Sequence, residues 1–282
     1  MQSPDSFRGW QTWDTGGAEV LATNAVEPSS ERGKLFLSST CNGKHVCSLR
    51  WVLTAAHCVT GLPGSMQLGG VRVGEHDLGK NPDCANCPPV QNLGIEQVIF
   101  HPGYNKPSNF MNDIALLKLD RDVEYNDYTQ PICLPWWDDH EDYTLNTFAG
   151  KEAVIEVAGW GATGPRGTDP AQILQFLKVP IFEQSRCSET YKVRGATLHD
   201  KQLCAGGVPG KDSCSGDSGS GLMRKVTIPV TVGGSTIFED RSQLIGAVSF
   251  GPSFCGTKNV PGVYARVNSY LSWILDKVAE NA

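Results

Sequence analysis

Lys211-Asp212-Ser213-Cys214-Ser215-Gly216-Asp217-Ser218-Gly219-Ser220 is the stretch from which the rest of the chain is read. Ser218 sits between glycines, with two aspartates and a cysteine close by. Gly216 lets the backbone turn sharply, so the amides of Gly216 and Ser218 can aim at one developing oxyanion while Ser218 serves as nucleophile. A Gly-Asp-Ser-Gly run also occurs in ordinary turns. It needs partners elsewhere in the sequence.

Two stretches supply them. Thr54-Ala55-Ala56-His57-Cys58 places a histidine beside a cysteine after the apolar run Trp51-Val52-Leu53, and Asn112-Asp113-Ile114-Ala115-Leu116-Leu117 sets an aspartate at the mouth of an apolar strand. An unpaired carboxylate there is costly, whereas one that fixes the tautomer of His57 and stabilises its imidazolium has a partner. The order His57, Asp113, Ser218 resembles the trypsin/chymotrypsin family of serine proteases. An α/β-hydrolase elbow has another chain order and needs glycine where Ser220 stands.

Size and composition agree with an extracellular β protein. The chain has 282 residues with 31 glycines and 17 prolines, which suit many short strands and tight turns. Ten cysteines, mostly spread singly, point to disulfides and an oxidising compartment. A net charge of −6 argues against nucleic acid as a partner. No segment reaches the roughly 18 apolar residues of a membrane span. The first residues hold no apolar core of signal-peptide length, so an extracellular localisation implies a fragment, a processed form or an imperfect gene model.

The resemblance implies an all-β fold: two Greek-key antiparallel β-barrels packed together, with a C-terminal α-helix. Residues 1–33 read as an irregular segment. The peptidase domain would run over 34–282, the first barrel over about 34–130, the second over about 131–266 and the helix over about 267–280. Apolar residues at 267, 270, 271, 274 and 275 fit one face of that helix. The strand pattern continues through Val154 to Ala158, Ile173 to Ile181, Gln243 to Phe250 and Gly262 to Val267.

The implied chemistry is peptide hydrolysis after Arg or Lys, with His57, Asp113 and Ser218 as catalytic residues and no cofactor. Asp212 would floor the specificity pocket, Ser249, Gly251 and Gly262 its walls. Pro261 goes with the absence of a bound sodium ion. Implied disulfides are Cys187–Cys204, Cys214–Cys255, Cys84–Cys87 across a surface loop, and Cys41–Cys58, although the text around Cys47 also resembles the family's partner for Cys58. Glu75 and Asp77 open a loop that holds calcium in some trypsin-like enzymes; solvated loop acids are the simpler reading.

His101-Pro102-Gly103-Tyr104 after a cysteine-bearing insertion is similar to the clip-domain proteases of invertebrate haemolymph cascades. That likeness implies protein substrates with Arg or Lys before the scissile bond, a serpin-type inhibitor and a light chain attached through Cys133, unless Cys133 is free or takes Cys47. One departure stands out. The family's activation terminus, whose ammonium pairs with the carboxylate at Asp217, falls on Asp14-Thr15-Gly16-Gly17, which keeps the glycines but lacks the apolar pair and a preceding basic residue. This opens the alternative of a zymogen-like or non-catalytic homologue acting as a binding or adaptor module. Ser220, where the family has glycine, adds a side chain next to the nucleophile.

Overall fold

The computed structural model describes residues 18–21, 34–38, 47–62, 68–135, 155–164, 167–232 and 235–282. Its strands are, in chain order, β1 (Ala18–Leu21), β2 (Lys34–Ser38), β3 (Cys47–Thr54), β4 (Leu68–Val73), β5 (Gln91–Leu93), β6 (Ile95–Phe100), β7 (Ala115–Leu119), β8 (Gln130–Cys133), β9 (Ile155–Gly159), β10 (Gln175–Val179), β11 (Gln202–Gly206), β12 (Gly221–Val232), β13 (Ser235–Phe250) and β14 (Pro261–Arg266). Helix α1 (Gln184–Lys192) precedes β11, and α2 (Leu271–Glu280) follows a 3-10 turn at Val267–Tyr270.

Hydrogen bonding arranges the strands in two lobes, joined through one strand and again by a bridge between Asp77 and Ile173. A continuous path runs β10-β9-β12-β13-β8-β2-β3-β7-β6, with β14 on β13 and β11 on β14, and a separate sheet runs β1-β4-β5. Pairing is antiparallel within the second lobe, β9 to β14, and among β2, β3, β7 and β6 of the first. β8 is the hinge between them, parallel to β2 on one side and touching β13 at Gln243↔Cys133 on the other.

The near-continuous apolar runs follow from strands that bury both faces. In β3, Val52 enters a first-lobe core with Val71, Val73, Leu93, Leu117 and Leu119, while Trp51 and Leu53 face the opposite way. In β7, Leu116 joins Trp51 and Leu53, and its neighbour Leu117 joins Val52. The second lobe alternates likewise: Ile245 and Val248 point into its interior with Leu222 and Tyr264, whereas Leu244 and Ala247 point toward the first lobe. A third core thus fills the seam, and α2 seals it with Ile274 and Val278. Truncating a fully buried seam residue such as Leu116 to alanine removes about 2–5 kcal/mol.

Three features differ from the reading of the sequence. Within 1–33, read as irregular, Ala18–Leu21 forms a strand parallel to β4; the stretch Asp14–Gly17 lies outside the described residues. The segment between Cys187 and Cys204 begins in helix α1, whose mixed text gives no clear apolar period and which packs through Cys187 and Tyr191. The hairpin β12–β13 is far longer than the run Gln243–Phe250, because Ser235 to Ser242, polar apart from the exposed Ile237 and Phe238, continues the pairing.

Candidate active site

The histidine corner is built at the end of β3. Ala55 is extended, and Ala56–His57–Cys58 then forms a 3-10 turn whose small residues are completely buried, so the turn packs flat on the barrel. Asp113 stands two residues before β7 and is buried, at 1% exposure. Its carboxylate accepts three hydrogen bonds. The backbone N–H of His57 donates to Oδ1 at 2.8 Å, while the ring Nδ1–H and the Ser249 hydroxyl donate to Oδ2 at 2.7 and 2.5 Å. With the acid ionised, Nδ1 carries the proton and Nε2 presents the lone pair. Burial, the largest influence on His57, works to lower its pKa; Cys58 and Asp113 outweigh it and hold the imidazole well above its usual value.

Ser249, expected in a wall of the specificity pocket, has a further part: its hydroxyl goes to Asp113, tying β13 of the second lobe to the acid of the first.

The nucleophile loop is stitched down on both sides of Ser218. Asp217 N–H donates to Cys214 O at 3.0 Å, Gly219 N–H to Val248 O at 2.9 Å and Ser220 N–H to Asp217 O at 3.0 Å. Among the described residues the amides of Gly216 and Ser218 donate to no carbonyl. Gly216 and Gly219 take φ of 97° and 76°, a region that favours glycine. A Cβ on Gly219 would strike the Thr54 side chain and come within 3.1 Å of both Ala55 N and Cys58 Sγ. The residue after Ser218 is thus pressed against the turn that carries His57. The Ser220 side chain is accommodated: its hydroxyl donates to Asp217 O at 2.6 Å and reinforces the loop.

Asp217 is saturated without an ammonium among the described residues. The amides of Gly161 and Cys214 donate to its two carboxylate oxygens, each at 2.8 Å. Gly159 and Gly161 leave the space its carboxylate fills, since a Cβ at either would collide with it. Burial raises its pKa, and the two amides pull it back.

Asp212 is the opposite case. Gly256 N–H donates to Oδ2 at 3.1 Å, but Oδ1 is buried and has no partner. Burial, opposed in part by the amides of Gly256 and Ser213 and helped by the charge of Asp217, raises its pKa to about 6. Glycines line the way to it: a Cβ on Gly262 would approach Oδ1 to 3.2 Å, and Gly251 faces Gly262. A slot walled by bare backbone and ending on an unpaired carboxylate oxygen suits a long cationic side chain.

Disulfides join Cys187–Cys204, Cys214–Cys255 and Cys84–Cys87. The expected Cys41–Cys58 bond is corrected: Cys58 is a free, buried thiol, its Sγ 3.6 Å from His57 Nε2 and against Gly219. Cys41 and the side chain of Cys47 lie outside the described residues. Cys133 is disulfide-bonded, which takes away the free sulfur expected to hold a light chain.

Glu75 and Asp77, the two acids of the calcium possibility, stand among other charged groups. Glu75 faces Arg72 at 3.4 Å, and Asp77 pairs with Lys80 at 2.7 Å while accepting from Gly79 N–H and Gln172. A third acid, Asp83, joins them: it accepts from Asp77 N–H at 3.0 Å, and burial together with its charge raises the pKa of Glu75 against the pull of Arg72. Among the described residues no group of three or more His, Cys, Asp or Glu gathers around a metal position.

Two residues escaped the reading of the sequence. Phe110, held at φ 58°, lies edge-on to His57 at 6.0 Å and against Phe250 at 5.1 Å. Gly161 supplies an amide to Asp217 across the lobe. The Gly159-Trp160-Gly161 run was the only local signal for the second; the first had none.

The Trypsin family profile matches residues 16–274. The chain is 39% identical over 246 residues to CLIP domain-containing serine protease HP8 of Bombyx mori, covering 85% of this chain and 62% of that protein. It is 40% identical to Melanization protease 1 of Drosophila melanogaster, with 84% of this chain and 58% of the relative covered. Phenoloxidase-activating factor 3 of Holotrichia diomphalia is also 40% identical, with 84% and 64% covered. This chain belongs to the trypsin-like serine protease family, a family of two-barrel hydrolases. It spans about six-tenths of the length of these relatives, all of which are longer.

Proposed function

We propose that this chain is a serine endopeptidase that cleaves after Arg or Lys through His57, Asp113 and Ser218, as part of an extracellular proteolytic cascade. The observation that carries the reading is the meeting of two lobes at one point: Asp113 grips His57 through Nδ1, and the Ser218 loop packs on the His57 turn. Ser218 Oγ attacks the carbonyl carbon as Nε2 takes its proton. The imidazolium, stabilised by Asp113, then protonates the departing amine, and water repeats the sequence on the acyl-enzyme. The open amides of Gly216 and Ser218 suit the oxyanion, each donor being worth about 2.7–4 kcal/mol in comparable sites. The unpaired oxygen of Asp212 supports the preference for basic side chains. Disulfides support an oxidising compartment. Cascade membership rests on the likeness to Melanization protease 1 and Phenoloxidase-activating factor 3.

A second reading, a zymogen-like or adaptor homologue, is favoured by one observation: among the described residues, the partners of Asp217 are the amides of Gly161 and Cys214. A fluorophosphonate probe separates the two. Labelling that disappears in Ser218→Ala, together with faster turnover of an arginyl than a phenylalanyl ester, is the expected result. An unlabelled, folded protein overturns the enzymatic reading.

A further inference from the structure

We propose that Ser220 is a positioning residue for the oxyanion: its hydroxyl, which the family's glycine lacks, aims and strengthens the Ser218 N–H as a donor. The inference rests on the proposed function and deepens it. Asp217, Ser218, Gly219 and Ser220 form a four-residue turn, closed by Ser220 N–H donating to Asp217 O at 3.0 Å. The third position, Gly219, takes φ of 76°, as a type II turn requires. The Ser220 hydroxyl donates to the same carbonyl oxygen at 2.6 Å. Asp217 O thus accepts two hydrogen bonds from one residue.

What this does to the oxyanion donor follows from the planar trans peptide. The Asp217 C=O and the Ser218 N–H belong to one peptide group and point in opposite directions. A carbonyl drawn into the turn by two donors leaves the Ser218 N–H facing out of it, with no carbonyl partner among the described residues. The other oxyanion donor is set in the same way. Ala162 N–H holds Ser215 O at 2.8 Å, and the Gly216 N–H lies on the far side of that peptide. Ser220 is itself nearly buried and fixed to β13, since Val248 N–H donates to its carbonyl at 2.9 Å and Val248 O accepts from Gly219 N–H. Hydrogen bonds in a chain also polarise one another, so a carbonyl that accepts from a hydroxyl makes the N–H of its own peptide a better donor. The Ser220 hydroxyl therefore acts on the developing charge through one peptide group, without touching substrate.

The test compares the full chain with Ser220→Ala and Ser220→Gly, using an arginyl amide substrate and two inhibitors; either variant suffices if the other does not fold. Benzamidine offers a cation to the Asp212 slot and forms no oxyanion. An arginyl aldehyde forms one: Ser218 Oγ bonds to the aldehyde carbon, the C=O π pair moves onto oxygen, and the serine proton passes to His57. Both variants are expected to lower kcat about two- to tenfold with KM unchanged, the range that one hydrogen bond commands. Aldehyde affinity should fall by the same factor, while benzamidine affinity stays that of the parent. A loop merely loosened by the substitution would disturb Asp212 as well, raising KM and weakening benzamidine together, and that outcome overturns the assignment. So does an unchanged kcat in variants of an active parent. A parent that turns over no arginyl amide overturns the proposed function and takes this inference with it, which keeps the two failures apart.

Discussion

Two buried carboxylates share one loop and are treated in opposite ways. Asp217 has each oxygen met by a backbone amide and lies in a cradle made by Gly159 and Gly161. Asp212 has one amide and an oxygen facing nothing. A satisfied buried charge holds structure in place, whereas an unsatisfied one stores a cost that a ligand of opposite sign can relieve. One acid therefore sets the loop and the other waits for a cation.

The largest expected effect lies beside both. Ser218→Ala or His57→Ala should lower kcat for an arginyl ester by about 10⁴–10⁶-fold, and Asp113→Asn by about 10⁴-fold, with folding checked by circular dichroism. A loss below tenfold in any of them would remove that side chain from the chemistry.

Next comes Asp212 itself. Asp212→Ser should lower kcat/KM for arginyl substrates by about 10²–10⁴-fold while sparing phenylalanyl ones. The arginyl-to-phenylalanyl ratio should also fall about tenfold between pH 8 and pH 5, because a carboxylate with a pKa of about 6 is mostly neutral at the lower pH. A flat ratio breaks the contrast between the two acids.

The same contrast has a sign in stability. The folded pKa of Asp212 is raised above its ordinary 3.8, so the native state holds the proton more tightly than the unfolded chain. Its penalty is absent below about pH 4, grows as pH rises through the window up to about 6, and is complete above that. Asp212→Asn should therefore stabilise the protein at pH 8, by at most about 3 kcal/mol, and have almost no effect near pH 3.5. Gly161→Ala should act the other way, destabilising by about 1–3 kcal/mol by disturbing the Asp217 cradle. Urea unfolding of the two variants at both pH values reads the difference.

The disulfides carry the contrast from the acids to the loops around them. Cys214–Cys255 closes a sequence separation of 41 and Cys84–Cys87 one of 3, so loop entropy assigns them about 4 and about 2 kcal/mol. Removing the first should also loosen the Asp212 slot and raise KM. Removing the second should leave kinetics unchanged.

Much of this was legible in the text because it is local. The order of His57, Asp113 and Ser218, the glycines that turn the nucleophile loop and the apolar runs of β3 and β7 each announce themselves within a few residues. What was not legible depends on partners far along the chain. Ser249 reads as a pocket wall because its neighbours Phe250 and Gly251 suggest one, yet its hydroxyl finds Asp113 at a separation of 136 residues. Cys58 looks paired until its sulfur is seen against Gly219 and His57.

By itself the sequence determined the family, the β architecture and which side chains can do acid–base and nucleophilic chemistry, since residue type and alternation are written locally. The tertiary structure alone decided which charges are satisfied and which are left waiting. Burial and hydrogen-bond partners exist only once distant strands have met, and those two quantities separate Asp217 from Asp212.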